Sequence, residues 1–207
     1  MTIKRLNRYT SLPVLLDVLE RKRLVLIDPL KTWDDKNDTL IIEAYKEKAN
    51  VKKLFALCFS YESETIHHWK TYANGSSGCC IEFEASKLFE IFRGIPALVH
   101  KVVHYEKINN ILPELIKIEQ IPFTKREPYT TENEYRLIWQ GDSDLEYFEI
   151  DIMLDSINRI TFSQQMPELV FESVKSLLIK NYPILNTRIN RSTIYENKTW
   201  VKKFKSL

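Results

Sequence analysis

Two glutamates, Glu132 and Glu134, stand two residues apart directly before the apolar, β-prone run Tyr135-Arg136-Leu137-Ile138-Trp139. On an extended backbone residues i and i+2 point to one side, so this spacing predicts that both carboxylates face one cleft at the mouth of a strand. Neighbouring carboxylates resist ionising together, and they suit the work of orienting or deprotonating a hydroxyl. A solvated strand edge, where charge deters aggregation, explains the pair more simply when it is taken alone. Its interest grows with two further residues. Arg8, near the end of a first strand, can hold a phosphate or carboxylate bidentately, with an ordinary ion pair as the plainer use. Ser60 closes the strand Leu57-Cys58-Phe59-Ser60; its hydroxyl can bond a ligand, steady a carboxylate or cap the following helix.

Trp69 and Tyr72 lie three apart on an expected helix and share a face. They offer an aromatic wall for a nucleobase or nicotinamide, against the default of core packing. His67 and His68 diverge by about 100° on a helix and do not suit one metal ion. Asp34, Asp35 and Asp38 cluster with Asn37, but without the glycine and distal glutamate of a calcium loop. No metal site is therefore assigned. The chain has no Gly-rich phosphate loop, Gly-x-Gly-x-x-Gly or Gly-x-Ser-x-Gly motif, which disfavours P-loop NTPases, Rossmann dehydrogenases and α/β-hydrolases.

The elements that must carry these residues follow from pattern and punctuation. Strands are expected over 3–9, 23–28, 53–60, 79–83, 97–105, 135–139, 147–152 and 157–162, with short final ones at 187–189 and 193–195. Helices are expected from Leu12 behind an Ser11 cap, then over 41–48, 63–73, 88–92, 108–119 and 167–180, with 29–39 as a loop. Strands and helices intersperse without regular βαβ alternation. This predicts a single α+β domain over 1–207, with a split, mostly antiparallel sheet flanked by helices.

Composition agrees with one ordinary globular core: 207 residues, 44% hydrophobic and 28% charged, with only 4 Gly and 8 Pro. The net charge of +2 conceals a basic C-terminal tail at 198–207 carrying Lys198, Lys202, Lys203 and Lys205. That balance argues against a dedicated nucleic-acid binder, and the tail reads as solvated. Cys58, Cys79 and Cys80 lack metal or disulfide spacing and lie in apolar runs, so buried, reduced, inert thiols and a cytoplasmic location are expected. No apolar run approaches the roughly 18 residues of a membrane span.

These landmarks together resemble the bacterial family called domain of unknown function 2971. The resemblance is carried by Arg8-Tyr9-Thr10-Ser11, by the Asn-Asp loop at Trp33–Asp38, by residues 58–60, 69–72 and 78–83, and by the stretch from Lys125 through Arg136. Tyr129 departs from the usual Trp, and the Asn-Asp-Pro loop is altered. More loosely, the order Arg8, Ser60, Glu132-x-Glu134 is similar to that of ADP-ribosyltransferases of the Arg-Ser-Glu class. That resemblance implies NAD as substrate, Arg8 on its phosphate and Ser60 steadying the site. It further implies Glu134 on the nicotinamide ribose and Glu132 orienting an acceptor, protein or nucleic acid, in a toxin or phage-defence setting. The rival expectations are a non-catalytic nucleotide- or protein-binding module built on Trp69, Tyr72 and Arg8, and a metal-dependent ribonuclease using Glu132, Glu134 and the Asp34–Asp38 loop.

Overall fold

The computed structural model describes residues 2–205. Strand β1 (Arg5–Ser11) runs into helix α1 (Leu12–Arg21), followed by β2 (Arg23–Leu26), the single turn α2 (Pro29–Thr32), α3 (Lys36–Lys48) and β3 (Lys53–Ser60). Then come α4 (Ile66–Tyr72), β4 (Gly78–Glu84), α5 (Ala85–Arg93), β5 (Leu98–Val102), β6 (His104–Glu106) and β7 (Thr124–Arg126). The last elements are β8 (Glu134–Gly141), β9 (Phe148–Asp151), β10 (Ile157–Phe162), α6 (Glu168–Asn181), β11 (Ile189–Arg191) and α7 (Lys198–Lys205).

Seven strands make one sheet in the order β11-β10-β4-β1-β3-β8-β5, antiparallel throughout except for β10 and β11. The fold is thus α+β with a mostly antiparallel sheet and flanking helices, as the pattern predicts. Alternation along the strands divides the apolar residues between two faces. Phe55, Leu57 and Phe59 of β3 and Tyr135 and Leu137 of β8 join the main core, which α1, α5 and α6 cover with Leu15, Leu19, Leu88, Phe92, Phe171 and Leu178. Each such fully buried side chain contributes roughly 1.5–3 kcal/mol. On the opposite face, Leu54, Ala56 and Ile138 pack under Ile42 and Tyr45 of α3. Tyr9 and Cys80 pack under Trp69 of α4. Gly78 admits α4 so closely that a Cβ there would lie 1.8 Å from the Ala73 carbonyl oxygen.

The sheet parts between β1 and β3. β1 pairs with β4 continuously from Arg5↔Glu84 to Ser11↔Gly78, and β3 pairs with β8 from Lys53↔Gly141 to Ser60↔Glu134. Between β1 and β3 the only register is Asn7↔Ser60. The divergence opens a cleft on the face that carries α3 and α4.

Several sequence expectations are corrected. Residues 29–39 are not a loop throughout: Asp28 caps α2, and Asp35 accepts the Asn37 N–H at 2.9 Å to start α3 five residues before the expected position. The expected helix over 108–119 is a series of 3₁₀ turns, Ile108–Asn110, Pro113–Leu115 and Ile118–Phe123. Pro113, inside the expected helix, lacks the N–H that an α-helix needs in its interior, and Pro122 follows just beyond it. The strand expected over 97–105 divides at Val103 into β5 and β6, although the Val103 N–H still donates to the Glu134 carbonyl at 2.9 Å, the next residue in the β5–β8 register. Residues 193–195 form no strand. The basic segment is helical at Lys198–Lys205, with Trp200 and Phe204 exposed together on it, and residues 206–207 of the expected tail lie outside the described residues.

Candidate functional site

A cavity of about 560 Å³ occupies the cleft beside the split, and Arg8, Ser60, Tyr72, Glu132 and Glu134 all line it. β3 and β8 supply its floor as a cross-strand ladder. Ser60 stands opposite Glu134 and Cys58 opposite Arg136, while the next pair on the same face, Ala56 and Ile138, passes into the core under α3. One strand face therefore turns from apolar to ionised within two residues.

The two glutamates reach the cavity by a route different from the one their spacing predicts. Glu132 is not on the strand; it ends the 3₁₀ segment Glu127–Glu132, and Asn133 turns the chain with φ 43° and ψ 55°. Asn tolerates this left-handed conformation better than most residues. The i, i+2 pair that does share a strand face is Glu134 with Arg136. Backbone contacts fix the join: the Glu134 N–H donates to Tyr105 Oη at 2.9 Å, and the Tyr61 N–H donates to the Asn133 carbonyl at 3.0 Å.

Arg136, fully buried, spends all five of its N–H donors on protein acceptors. Nε and Nη2 donate to Glu134 Oε1 and Oε2 at 2.7 and 3.0 Å. Nη1 and Nη2 donate to Asp38 Oδ1 and Oδ2 at 3.2 and 2.7 Å, and Nη1 also to the Pro122 carbonyl at 2.9 Å. Its charge is held firmly: burial opposes it, but Glu134 and Asp38 raise the pKa well above the ordinary arginine value. Lys125 Nζ lies 2.7 Å from Glu132 Oε2, 3.5 Å from Glu134 and 3.6 Å from Asp38, and the three carboxylates overcome burial to raise its pKa too. Burial pushes the Glu134 carboxyl up, yet Arg136 and Lys125 together bring it down to about 2. The cluster sets three carboxylates against two cations, leaving about one net negative charge in a site of low dielectric.

Glu132 is tethered as well. Tyr72 Oη donates to its Oε1 at 2.6 Å, and His68 Nε2 lies 2.9 Å from its backbone carbonyl. A carbonyl only accepts, so the proton sits on Nε2, and Nδ1 accepts from Thr65 Oγ1 at 2.8 Å. Burial lowers the His68 pKa, consistent with that neutral tautomer. His68 is thus an anchor for Glu132, stacked on Tyr9 with ring centroids 4.8 Å apart.

Arg8 is the contrast to Arg136. It sits within the β1–β4 ladder opposite Ile81, not at the strand's end, because β1 continues to Ser11. Across the split, Nη1 donates to the Cys58 carbonyl at 3.0 Å, a group that the missing β1–β3 pairing would otherwise leave open. No carboxylate pairs with Arg8 among the described residues. Burial lowers its pKa, and Cys58 and Glu134 only partly compensate. A half-buried guanidinium with unspent donors in a cavity is a ready receptor for an anion.

Ser60 Oγ accepts the Glu62 N–H at 3.3 Å, so its hydroxyl holds the turn after β3 at the cavity wall. Trp69 is the expected site residue that the fold places elsewhere. It does not line this cavity; it packs against Tyr9, Ala73 and Cys80 and donates its indole N–H to Glu64 Oε2 at 2.8 Å. Its partner Tyr72 does reach the cavity because α4 turns one face to the core and its last residue to the cleft. Cys79 and Cys80 are buried, with burial pushing the Cys79 thiol up to about 12. Cys58, expected to be buried, is only partly covered and lines the cavity, its pKa raised by burial and by Glu134.

The sequence alone marks no role for Lys125, Arg136, Trp33 or Tyr129, and it places Asp38 in an acidic loop. Trp33 and Tyr129 line the same cavity, each against a buried cation: the Arg136 guanidinium lies 4.6 Å from the Trp33 ring centroid and Lys125 Nζ 4.6 Å from that of Tyr129. Arg136 was the legible omission, being two residues from Glu134 on an expected strand.

No family model matches the chain, so the resemblance to domain of unknown function 2971 gains no support there, and no curated protein matches it. Among solved structures it is similar to Thermus sp. 2.9 DarT in complex with NAD+, at 13% identity over 93% of this chain and 96% of that chain, with a TM-score of 0.46. The same protein in complex with carba-NAD+ matches at 12% identity over 94% and 97%, TM-score 0.46. In complex with ADP-ribosylated ssDNA it matches at 13% over 87% and 90%, TM-score 0.43. A likeness of this extent assigns no role to any residue of this chain.

Proposed function

We propose that this chain cleaves NAD at the nicotinamide–ribose bond and passes the ADP-ribosyl group to an acceptor hydroxyl or amine, or to water. One observation supports the reading: Arg8, a half-buried guanidinium without a carboxylate partner among the described residues, lines the same cavity as a net-negative cluster holding Glu134. NAD combines those two demands, a diphosphate anion and a ribose carbon that becomes cationic as nicotinamide leaves.

In this reading Arg8 binds the diphosphate, and Glu134 accepts a hydrogen bond from the nicotinamide ribose. The C1′–N bond breaks with its electron pair leaving on nicotinamide, which neutralises the pyridinium. Positive charge then develops on the ribose, where the cluster's fixed negative charge stabilises it without reorganisation. Arg136 keeps Glu134 ionised and aimed, so its second lone pairs stay free for ribose. The acceptor's nucleophilic atom bonds to C1′ and releases its proton to solvent; in this reading Glu132, tethered by Tyr72 and Lys125, orients the acceptor.

The binding-module alternative builds on Trp69, Tyr72 and Arg8; Trp69 lies in the core, and the cavity that Tyr72 and Arg8 line also holds Glu132 and Glu134. The ribonuclease alternative gathers Glu132, Glu134 and the Asp34–Asp38 loop around a divalent ion, whereas the charge of Glu132, Glu134 and Asp38 is already countered by Lys125 and Arg136. Purified protein incubated with NAD should release nicotinamide. A protein that neither releases it, with protein, nucleic-acid and water acceptors supplied, nor binds NAD contradicts the proposal.

A further inference from the structure

We infer that Asp38 is a positioning residue for Glu134, acting through Arg136; this rests on the NAD-cleaving reading above. Asp38 sits in the first turn of α3 and is 3% exposed. A carboxylate at the start of a helix is ordinarily a cap or a solvated dipole partner, but here Asp35 already caps α3. Asp38 instead turns inward and takes one edge of the Arg136 guanidinium with both oxygens, leaving the Nε edge for Glu134. The guanidinium is planar and rigid, so fixing one edge fixes the other. With the Pro122 carbonyl on Nη1, every donor is assigned, and the Glu134 carboxylate is left one orientation that satisfies Arg136. Helix α3 thereby sets the aim of a carboxylate on β8.

The chemistry this predicts is selective. Binding of NAD depends on Arg8, across the cavity, whereas stabilising the cationic ribose depends on where Glu134 points. Loosening Arg136 should lower kcat and leave KM and affinity nearly unchanged, because only an interaction specific to the transition state is lost.

The test compares wild type with Asp38→Asn, Asp38→Glu and Arg136→Lys. It measures nicotinamide release, NAD affinity by calorimetry, and the melting temperature of each. Asp38→Asn should lose roughly ten- to a hundredfold in kcat, the loss seen when a partner that orients a metal ligand is removed, with NAD affinity within about threefold. Asp38→Glu, which keeps the charge, should recover part of that loss. Arg136→Lys, which cannot grip both carboxylates, should reproduce it. Wild-type kcat in a folded Asp38→Asn overturns the inference, as does a fall in kcat matched by an equal fall in NAD affinity. Failure of both Asp38→Asn and Arg136→Lys to fold also overturns it, since the network is then structural. Absence of nicotinamide release by the wild type is a different failure and counts against the NAD reading itself.

Discussion

Asp38 and Glu134 hold two edges of one guanidinium, that of Arg136, which is wholly enclosed and has no donor left for a ligand. The cavity therefore contains two arginines with opposite duties: Arg136 is consumed by the protein, and Arg8 is not. Removing either one should have opposite consequences.

Arg136→Ala leaves Asp38 and Glu134 buried without their shared cation. Breaking a buried ion pair from one side typically costs about 3–5 kcal/mol. Urea unfolding at neutral pH should show a loss of that size, and the variant should be inactive. A loss below about 1 kcal/mol, the scale of an exposed pair, contradicts the account of the cluster.

Arg8→Met behaves the other way. Partial desolvation of a charge without a counter-ion is costly, and a methionine fills similar space without it, at the expense of one hydrogen bond to the Cys58 carbonyl. The variant should melt at or above the wild-type temperature. Its NAD affinity should drop by the charge-assisted contact, about 1.5–3 kcal/mol. Calorimetry and a thermal scan on the same sample check both halves; unchanged affinity removes Arg8 from the binding site.

Acid stability should report on Glu134. Its folded pKa is about 2 against an ordinary 4.5, so the folded state binds its proton later than the unfolded state does. The stabilisation is complete above pH 4.5 and is lost as pH falls toward 2. The difference in unfolding free energy between wild type and Glu134→Gln, measured by urea at pH 7, 4 and 3, should shrink through that window. A difference that is constant with pH contradicts the ionised assignment.

Much of the architecture was legible because its signals are local. The β3 and β8 strands carry alternating apolar residues, and the absence of βαβ repetition excluded a parallel sheet. Arg8, Ser60 and Glu134 stand out in sequence through residue type and their order along the chain, although Arg8 lies inside β1 and not at its end. The rest depends on tertiary geometry. Nothing in the run 127–134 announces that Asn133 turns left-handed and lifts Glu132 off the strand. Asp38 looks like a helix-start residue in sequence, and only the packing of α3 over β8 shows that it faces Arg136. Trp69 and Tyr72 share a helix spacing, but which neighbour meets the core depends on Tyr9 and Cys80 beneath them.

Trp69 supplies a control for that distinction. Trp69→Phe keeps an aromatic ring under α4 but loses the hydrogen bond to Glu64. It should destabilise by about 1 kcal/mol and leave the NAD affinity of the folded protein unchanged. A selective loss of NAD binding at constant stability would return Trp69 to the site.

If Glu134 stabilises cationic ribose as NAD is cleaved, nicotinamide release under saturating NAD must differ between wild type and Glu134→Gln. The amide keeps the shape of the carboxylate and removes its charge. The account predicts retained fold and NAD binding, with the rate lowered on the order of a hundredfold or more, about 3 kcal/mol in the barrier. Equal rates of release by wild type and Glu134→Gln would contradict it.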